Sequence, residues 1–116
     1  MSAENAFETM ADTVGVTPAE AREAAGHILA FMQAESDDPA VSRMISETPG
    51  APEALAEAGP AADGIMALGA KLMGLGLDMA QMRAMGEALI LHARAHAGDD
   101  TVDQAVASVP AIGQFV

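Results

Sequence analysis

The sequence aligns with itself at an offset of 61 residues without a gap, so that residues 4–55 lie over residues 65–116. The register matches local chemistry as well as hydrophobicity, because the Gly-Val-Thr run at 15–17 lies over Gly-Leu-Asp at 76–78. Helix stop signals, capping residues and apolar positions therefore coincide in both halves. This coincidence indicates an internal duplication, which restricts the chain to a fold built from two similar units.

We predict one domain over residues 1–116, with a first repeat unit at 4–55, a linker at 56–64 and a second unit at 65–116. Each unit is predicted to form three helices whose apolar faces are too wide to leave in water. Two units stacked about a pseudo-two-fold axis would bury those faces jointly, as in an isologous dimer fused into one chain. The predicted fold is therefore all-α, a pseudo-symmetric bundle of six or seven helices.

The composition supports an all-α protein. Alanine is abundant, nine residues are Met, only three are aromatic, and Cys, Trp and Tyr are absent. Strong helix formers thus predominate over the β-branched and aromatic residues that strands favour. Without Cys, the chain can form neither a disulfide nor a thiolate metal site.

Two capping boxes predict where the longest helices begin. The Thr-Pro-Ala-Glu run at 17–20 supplies an N-cap hydroxyl, a Pro at the first helical position and a Glu that can reach back to the cap. Residues 78–81, Asp-Met-Ala-Gln, repeat the arrangement. We expect Gly15 to end the first helix, residues 52–58 to form a helical turn, and Pro110 to end the last helix.

The charge of the chain is strongly acidic and unevenly distributed. The formal net charge is −12, and residues 1–63 hold twelve acidic side chains against two Arg. Residues 64–116 hold five acidic side chains against three basic ones. A phosphate backbone would be repelled, which argues against nucleic-acid binding. An acidic first half could instead attract a basic partner.

His92 and His96 form the best candidate metal site. They lie one helical turn apart, the spacing that directs two imidazoles at one ion, and both are expected to face inward. Asp99 and Asp100 follow near the helix end and could complete a site of nitrogen and oxygen ligands. The alternative is packing, since His92 aligns with Phe31 and a cation at position 96 suits a helix C-terminus.

The methionines of the second half allow two interpretations. Flexible, polarisable Met side chains either fill a core or form an adaptable binding surface; the five are Met66, Met73, Met79, Met82 and Met85. Their spacing favours core packing. The apolar stretch 65–77 is too short to span a bilayer, and its single base, Lys71, argues against binding to anionic lipid.

Neither a catalytic motif nor a cofactor motif is recognisable. The chain contains no P-loop, no G-x-G-x-x-G and no G-x-S-x-G sequence. His27 shares a helix face with Glu20 and Glu23, which predicts a solvated side chain rather than a catalytic one. We therefore predict that the protein is not an enzyme and holds no cofactor.

Several short runs resemble a small helical bacterial family known as VcgC/VcgE, a domain of unknown function. They are His-Ile-Leu-Ala-Phe-Met at 27–32, Thr-Pro-Gly-Ala at 48–51, Gly-Leu-Asp-Met-Ala-Gln at 76–81, and Val-Pro-Ala-Ile-Gly-Gln-Phe at 109–115. Together these runs span most of residues 16–115. The resemblance implies a helical protein and no particular catalytic or binding residues.

The sequence thus predicts an acidic, non-catalytic interaction module that meets a protein partner or a second copy of itself. A small metal- or ligand-binding protein using His92 and His96 with Asp99 or Asp100 is the first alternative. A peripheral membrane factor using residues 65–77 is the second. The N-terminal residues lack a basic and an apolar targeting region, which indicates a cytoplasmic protein.

Overall fold

The computed structural model describes residues 3–113, with side chains from Ala6 onward. All regular structure in this range is helical, and no strand occurs in it, so the all-α prediction is confirmed. The helices are α1 (Ala3–Val14), α2 (Pro18–Glu35), α3 (Pro39–Glu47), α4 (Ala51–Glu57), α5 (Ile65–Gly74), α6 (Met79–Ala97), α7 (Asp99–Ala107) and α8 (Pro110–Gly113). The last residues of the predicted second unit and of the 109–115 run lie outside the described part.

The structure has more helices than the six or seven predicted. Residues 52–58 are predicted to form a helical turn, and the structure has helix α4 there, over Ala51–Glu57. Helix α7 ends at Ala107, before Pro110, but Pro110 also begins the additional short helix α8. The fixed φ angle of Pro suits the first turn of a helix as well as it ends one.

The two predicted capping boxes are confirmed and define the starts of the long helices. Thr17 Oγ1 accepts a hydrogen bond from Glu20 N at 3.1 Å, and Glu20 Oε1 accepts one from Thr17 N at 2.9 Å. Asp78 Oδ1 accepts from Gln81 N at 2.8 Å, and Gln81 Oε1 accepts from Asp78 N at 3.0 Å. Each box satisfies backbone donors that a helix start otherwise leaves unpaired.

The glycine turn that precedes each long helix lies beside the capping box of the other long helix. Gly15 has a φ of +87° and ends α1 as predicted. Gln81 Nε2 donates to Gly15 O at 3.3 Å, which joins the two halves of the chain. At the other turn, a Cβ on Gly76 would lie 3.7 Å from Glu20 Oε2. These contacts place the starts of α2 and α6 next to each other.

Helix α2 is the centre of the packing, since it contacts α1, α4, α5 and α6, while α3 lies against α7. Small residues on α2, including Ala21, Ala24 and Ala25, are fully buried and let neighbouring helices approach. The largest fully buried side chains come from both halves: Leu29, Phe31, Met32, Val41, Met44, Met85, Leu89, Val102 and Val109. The two halves therefore share one hydrophobic core.

Helix α4 approaches α2 closely at Gly26. A Cβ built on Gly26 would lie 2.3 Å from the carbonyl oxygen of Ala54 and 3.1 Å from the Cβ of Ala58. Only a glycine leaves room for the α4 backbone at this position. Glycine in a helix interior costs about 1 kcal/mol relative to alanine, so the close contact is made at the expense of helix propensity.

Within the described residues, none of the helices is long and apolar enough to cross a membrane.

Candidate functional site

An apolar groove lies between α5 and α6 and has a volume of about 460 Å³. Its floor is made of buried side chains from four helices: Ile28, Leu68, Leu72, Ile90 and Ile112. Its rim is made of Met66 and Met73 on α5 and Met79 at the start of α6. We call this feature the methionine groove. The size falls within the range of about 300–1,000 Å³ that is usual for ligand-binding clefts.

The rim methionines are exposed. The exposed fraction is 86% for Met66, 62% for Met73 and 75% for Met79. The two other methionines of this half behave differently, since Met82 is half-buried in the groove and Met85 is fully buried in the core. The prediction that these methionines pack in the core is thus wrong for the three rim residues and confirmed for Met85.

The groove exists because α5 packs less closely on α6 than α1 packs on α2. On α2, the side chains of Ala21 and Ala25 are small and fully buried. The residues of α6 at the same repeat positions are Met82 and Gly86, and both line the groove. The two long helices therefore differ in side-chain volume at these repeat positions.

The predicted histidine pair is brought together by α6. The ring centroids of His92 and His96 are 4.8 Å apart, and the ring planes meet at 67°. His92 is half-buried, and its Nε2 lies 3.1 Å from the carbonyl oxygen of Pro49, a contact that leaves that nitrogen committed to the backbone. His96 is exposed rather than inward-facing, whereas Ala93 and Ala97 are the residues of this part of α6 that pack on the core.

The two predicted aspartates lie in the first turn of α7, and both are exposed. Asp99 Oδ1 lies 3.6 Å from Arg94 Nη1, so its nearest charged partner is a cation of the protein. Throughout the described residues, no three His, Asp or Glu side chains are grouped in a way that could hold a metal ion. The metal site at His92, His96, Asp99 and Asp100 stays a prediction.

A second, smaller cavity of about 270 Å³ lies between α2 and α4. It contains His27, whose Nδ1 is buried without a hydrogen-bond partner among the described residues. Burial lowers the pKa of His27, and the charge of Lys71 lowers it further, while Glu23 opposes the shift. His27 is half-buried, rather than fully solvated as predicted, because α4 covers one side of it. Arg22 and Glu57 form an ion pair at the edge of the cavity.

The groove was not predicted as a unit, because its floor combines residues that are distant in sequence. Ile28 belongs to the first half and Ile112 to the last helix, and no local pattern connects them with α5. The available signal was the alignment of the two halves, in which Met73 lies over Asp12. A change from a charged to a large apolar side chain at one repeat position indicates a surface with a different role.

No protein-family model matches the chain, and neither does any curated protein or solved structure. The resemblance to the VcgC/VcgE family therefore stays a prediction. Function has to be inferred from the geometry of the chain.

Proposed function

We propose that the protein is a non-catalytic interaction module that binds an apolar segment of a protein partner in the methionine groove. The observation that carries this proposal is the exposure of three large apolar side chains around a cleft whose floor is already buried. Contiguous exposed apolar surface of this kind is typical of interaction sites. Met side chains are flexible and polarisable, so they adapt to the shape of a bound segment.

A protein segment fits the groove better than a membrane or a second copy of the chain. The net charge of −12 repels an anionic bilayer, and it equally repels a second copy that carries the same charge. Lys71, the only base on α5, is half-buried, and its Nζ lies 3.5 Å from the carbonyl oxygen of Pro60. The groove therefore lacks the basic rim that a membrane-binding helix uses.

The proposal includes the duplication of the units at 4–55 and 65–116. It is supported by the starts of α2 at Pro18 and α6 at Met79, which have the same 61-residue offset as the sequence alignment. It is also supported by the capping box that precedes each of them. On this view the first unit kept a polar outer face on α1, and the second acquired the groove. A cytoplasmic location is part of the same proposal.

A neutral helical peptide tests the groove directly. The probe carries Leu at positions i, i+3, i+4 and i+7 and Gln elsewhere, and its binding is followed by the NMR signals of ¹³C-labelled Met methyl groups. We expect the signals of Met66, Met73 and Met79 to shift, because the apolar stripe contacts the rim. The fully buried Met32 and Met44 serve as internal references.

A matched pair of variants completes the test. Met73→Gln combined with Met79→Gln should weaken peptide binding at least tenfold, since both changes place polar groups on the rim. Leu91→Gln is the control, because Leu91 is 70% exposed on α6 but does not line the groove. Equal affinity of the double variant and the wild type, or shifts confined to other methionines, would contradict the proposal.

A further inference from the structure

We infer that the segment bound in the methionine groove is a basic amphipathic helix, a conclusion that rests on the proposed function. The first argument is the charge around the groove. Three exposed carboxylates lie within two residues of a groove residue in sequence: Asp63, two residues before Ile65, Asp78, which precedes Met79, and Glu87, which follows Gly86. One precedes α5, one caps the start of α6, and one lies within α6.

The basic residues of this half do not balance those carboxylates. Arg94 is committed to α7, with its Nη2 2.6 Å from Asp103 Oδ1. Lys71 keeps its positive charge, and its Nζ lies 3.5 Å from the carbonyl oxygen of Pro60, before the start of α5. Arg83 is the exposed base on α6 next to the groove residue Met82. Three carboxylates against these two bases leave an excess of one negative charge next to the groove residues, which complements a positively charged segment.

The second argument is the shape of the site. Helix α5 has ten residues, so the groove beside it is about 15 Å long at 1.5 Å per residue. That length accommodates two to three turns of a helix with apolar side chains at i, i+3, i+4 and i+7. No strand occurs in the described residues, so the groove offers no sheet edge to which an extended peptide could add. A proline-rich segment docks in a groove lined by aromatic side chains, and none of the described residues that line this one is aromatic, so helix binding is the mode that fits the groove best.

The third argument is the charge of the whole protein. A net charge of −12 attracts a basic segment from a distance and raises its rate of association, most strongly at low ionic strength. The apolar floor then supplies the contacts that persist after the encounter. A basic amphipathic helix is the segment that uses both properties.

Three peptides test the inference, and all of them carry the same Leu stripe. The remaining positions are all Lys in the first peptide, all Gln in the second and all Glu in the third. Affinities are measured by isothermal titration calorimetry at low salt and at high salt. We expect the Lys peptide to bind about tenfold more tightly than the Gln peptide at low salt, which corresponds to about 1.4 kcal/mol. The Glu peptide should bind most weakly, and added salt should reduce these differences.

Two charge variants locate the effect at the groove. Asp63→Asn with Glu87→Gln should remove most of the advantage of the Lys peptide and leave the Gln peptide unaffected. Asp37→Asn with Glu47→Gln is the control, because it changes the net charge equally at the α2–α3 junction and the end of α3. The advantage should survive in this control. Its equal loss in both variants would overturn the inference, since the attraction would then not be specific to the groove.

The outcomes separate the inference from the proposed function. If the Gln and Lys peptides bind with equal affinity and shift the rim methionines, the basic character is wrong and the groove remains a binding site. If the Lys peptide binds as well to Met73→Gln/Met79→Gln as to wild type, both conclusions fail. Flotation with vesicles of zwitterionic lipid tests a lipid as the occupant. If the wild type floats with the vesicles and Met73→Gln/Met79→Gln does not, the conclusion that a protein segment occupies the groove is wrong.

Discussion

Replacing Gly26 by Ala should destabilise the protein, although the same change stabilises most helices. A Cβ at this position would lie 2.3 Å from the carbonyl oxygen of Ala54, whereas ordinary contact begins at 3.4 Å. Helix α4 would have to retreat by about 1 Å, and Ala54, now 1% exposed, would lose its contact with α2. Such overpacking costs about 1–3 kcal/mol. The gain in helix propensity offsets about 1 kcal/mol, so we expect a net loss of up to about 2 kcal/mol.

Gly69→Ala is the matched control for this prediction. Gly69 lies within α5, and a Cβ there would meet nothing within 4 Å, so this variant should gain up to about 1 kcal/mol. Urea unfolding followed by circular dichroism at 222 nm measures both, since the chain has neither Trp nor Tyr. The two variants should change stability in opposite directions. A Gly26→Ala variant as stable as the wild type would refute the close contact between α2 and α4.

Two further predictions concern His27 and Gln81. Because burial lowers the pKa of His27 below 6.5, the unfolded chain binds more protons just below that value. The free energy of unfolding should therefore be retained above pH 6.5 and fall as the pH decreases below it. Urea unfolding at pH 5–8 should show a weaker pH dependence for His27→Gln than for the wild type. An equal pH dependence in both proteins would contradict the lowered pKa of His27. Gln81→Glu should cost about 1–2 kcal/mol, because it replaces the donor to the carbonyls of Val14 and Gly15 by an acceptor. Glu20→Gln, in the other capping box, should change the unfolding free energy little, and an equal loss in both would argue against the cross-molecule contact.

The parts of the fold that the sequence predicts correctly depend on local interactions. A capping box involves residues only three positions apart, so Thr17 with Glu20 and Asp78 with Gln81 are recognisable without tertiary information. The same holds for Gly15, whose positive φ angle ends α1. The all-α class follows from composition, since strong helix formers predominate along the chain.

The parts that the sequence predicts incompletely or wrongly depend on tertiary contacts. The helical turn predicted at 52–58 corresponds to α4, which packs closely on α2 over Gly26. That same contact buries one side of His27 and explains why helix-face periodicity misplaced it. His96 shows the opposite error, because Ala93 and Ala97 are the residues that pack on the core here and His96 is left exposed.

The methionine groove requires an explanation that core packing does not provide. Met73 aligns with Asp12, which is exposed on α1, so a charged side chain at this repeat position is compatible with a packed helix. Replacing the rim methionines by polar residues would therefore cost little burial and would reduce exposed apolar surface. A fold needs no such residues for its stability, and solubility disfavours them. Their presence beside a buried apolar floor is accounted for if a partner covers them for part of the time.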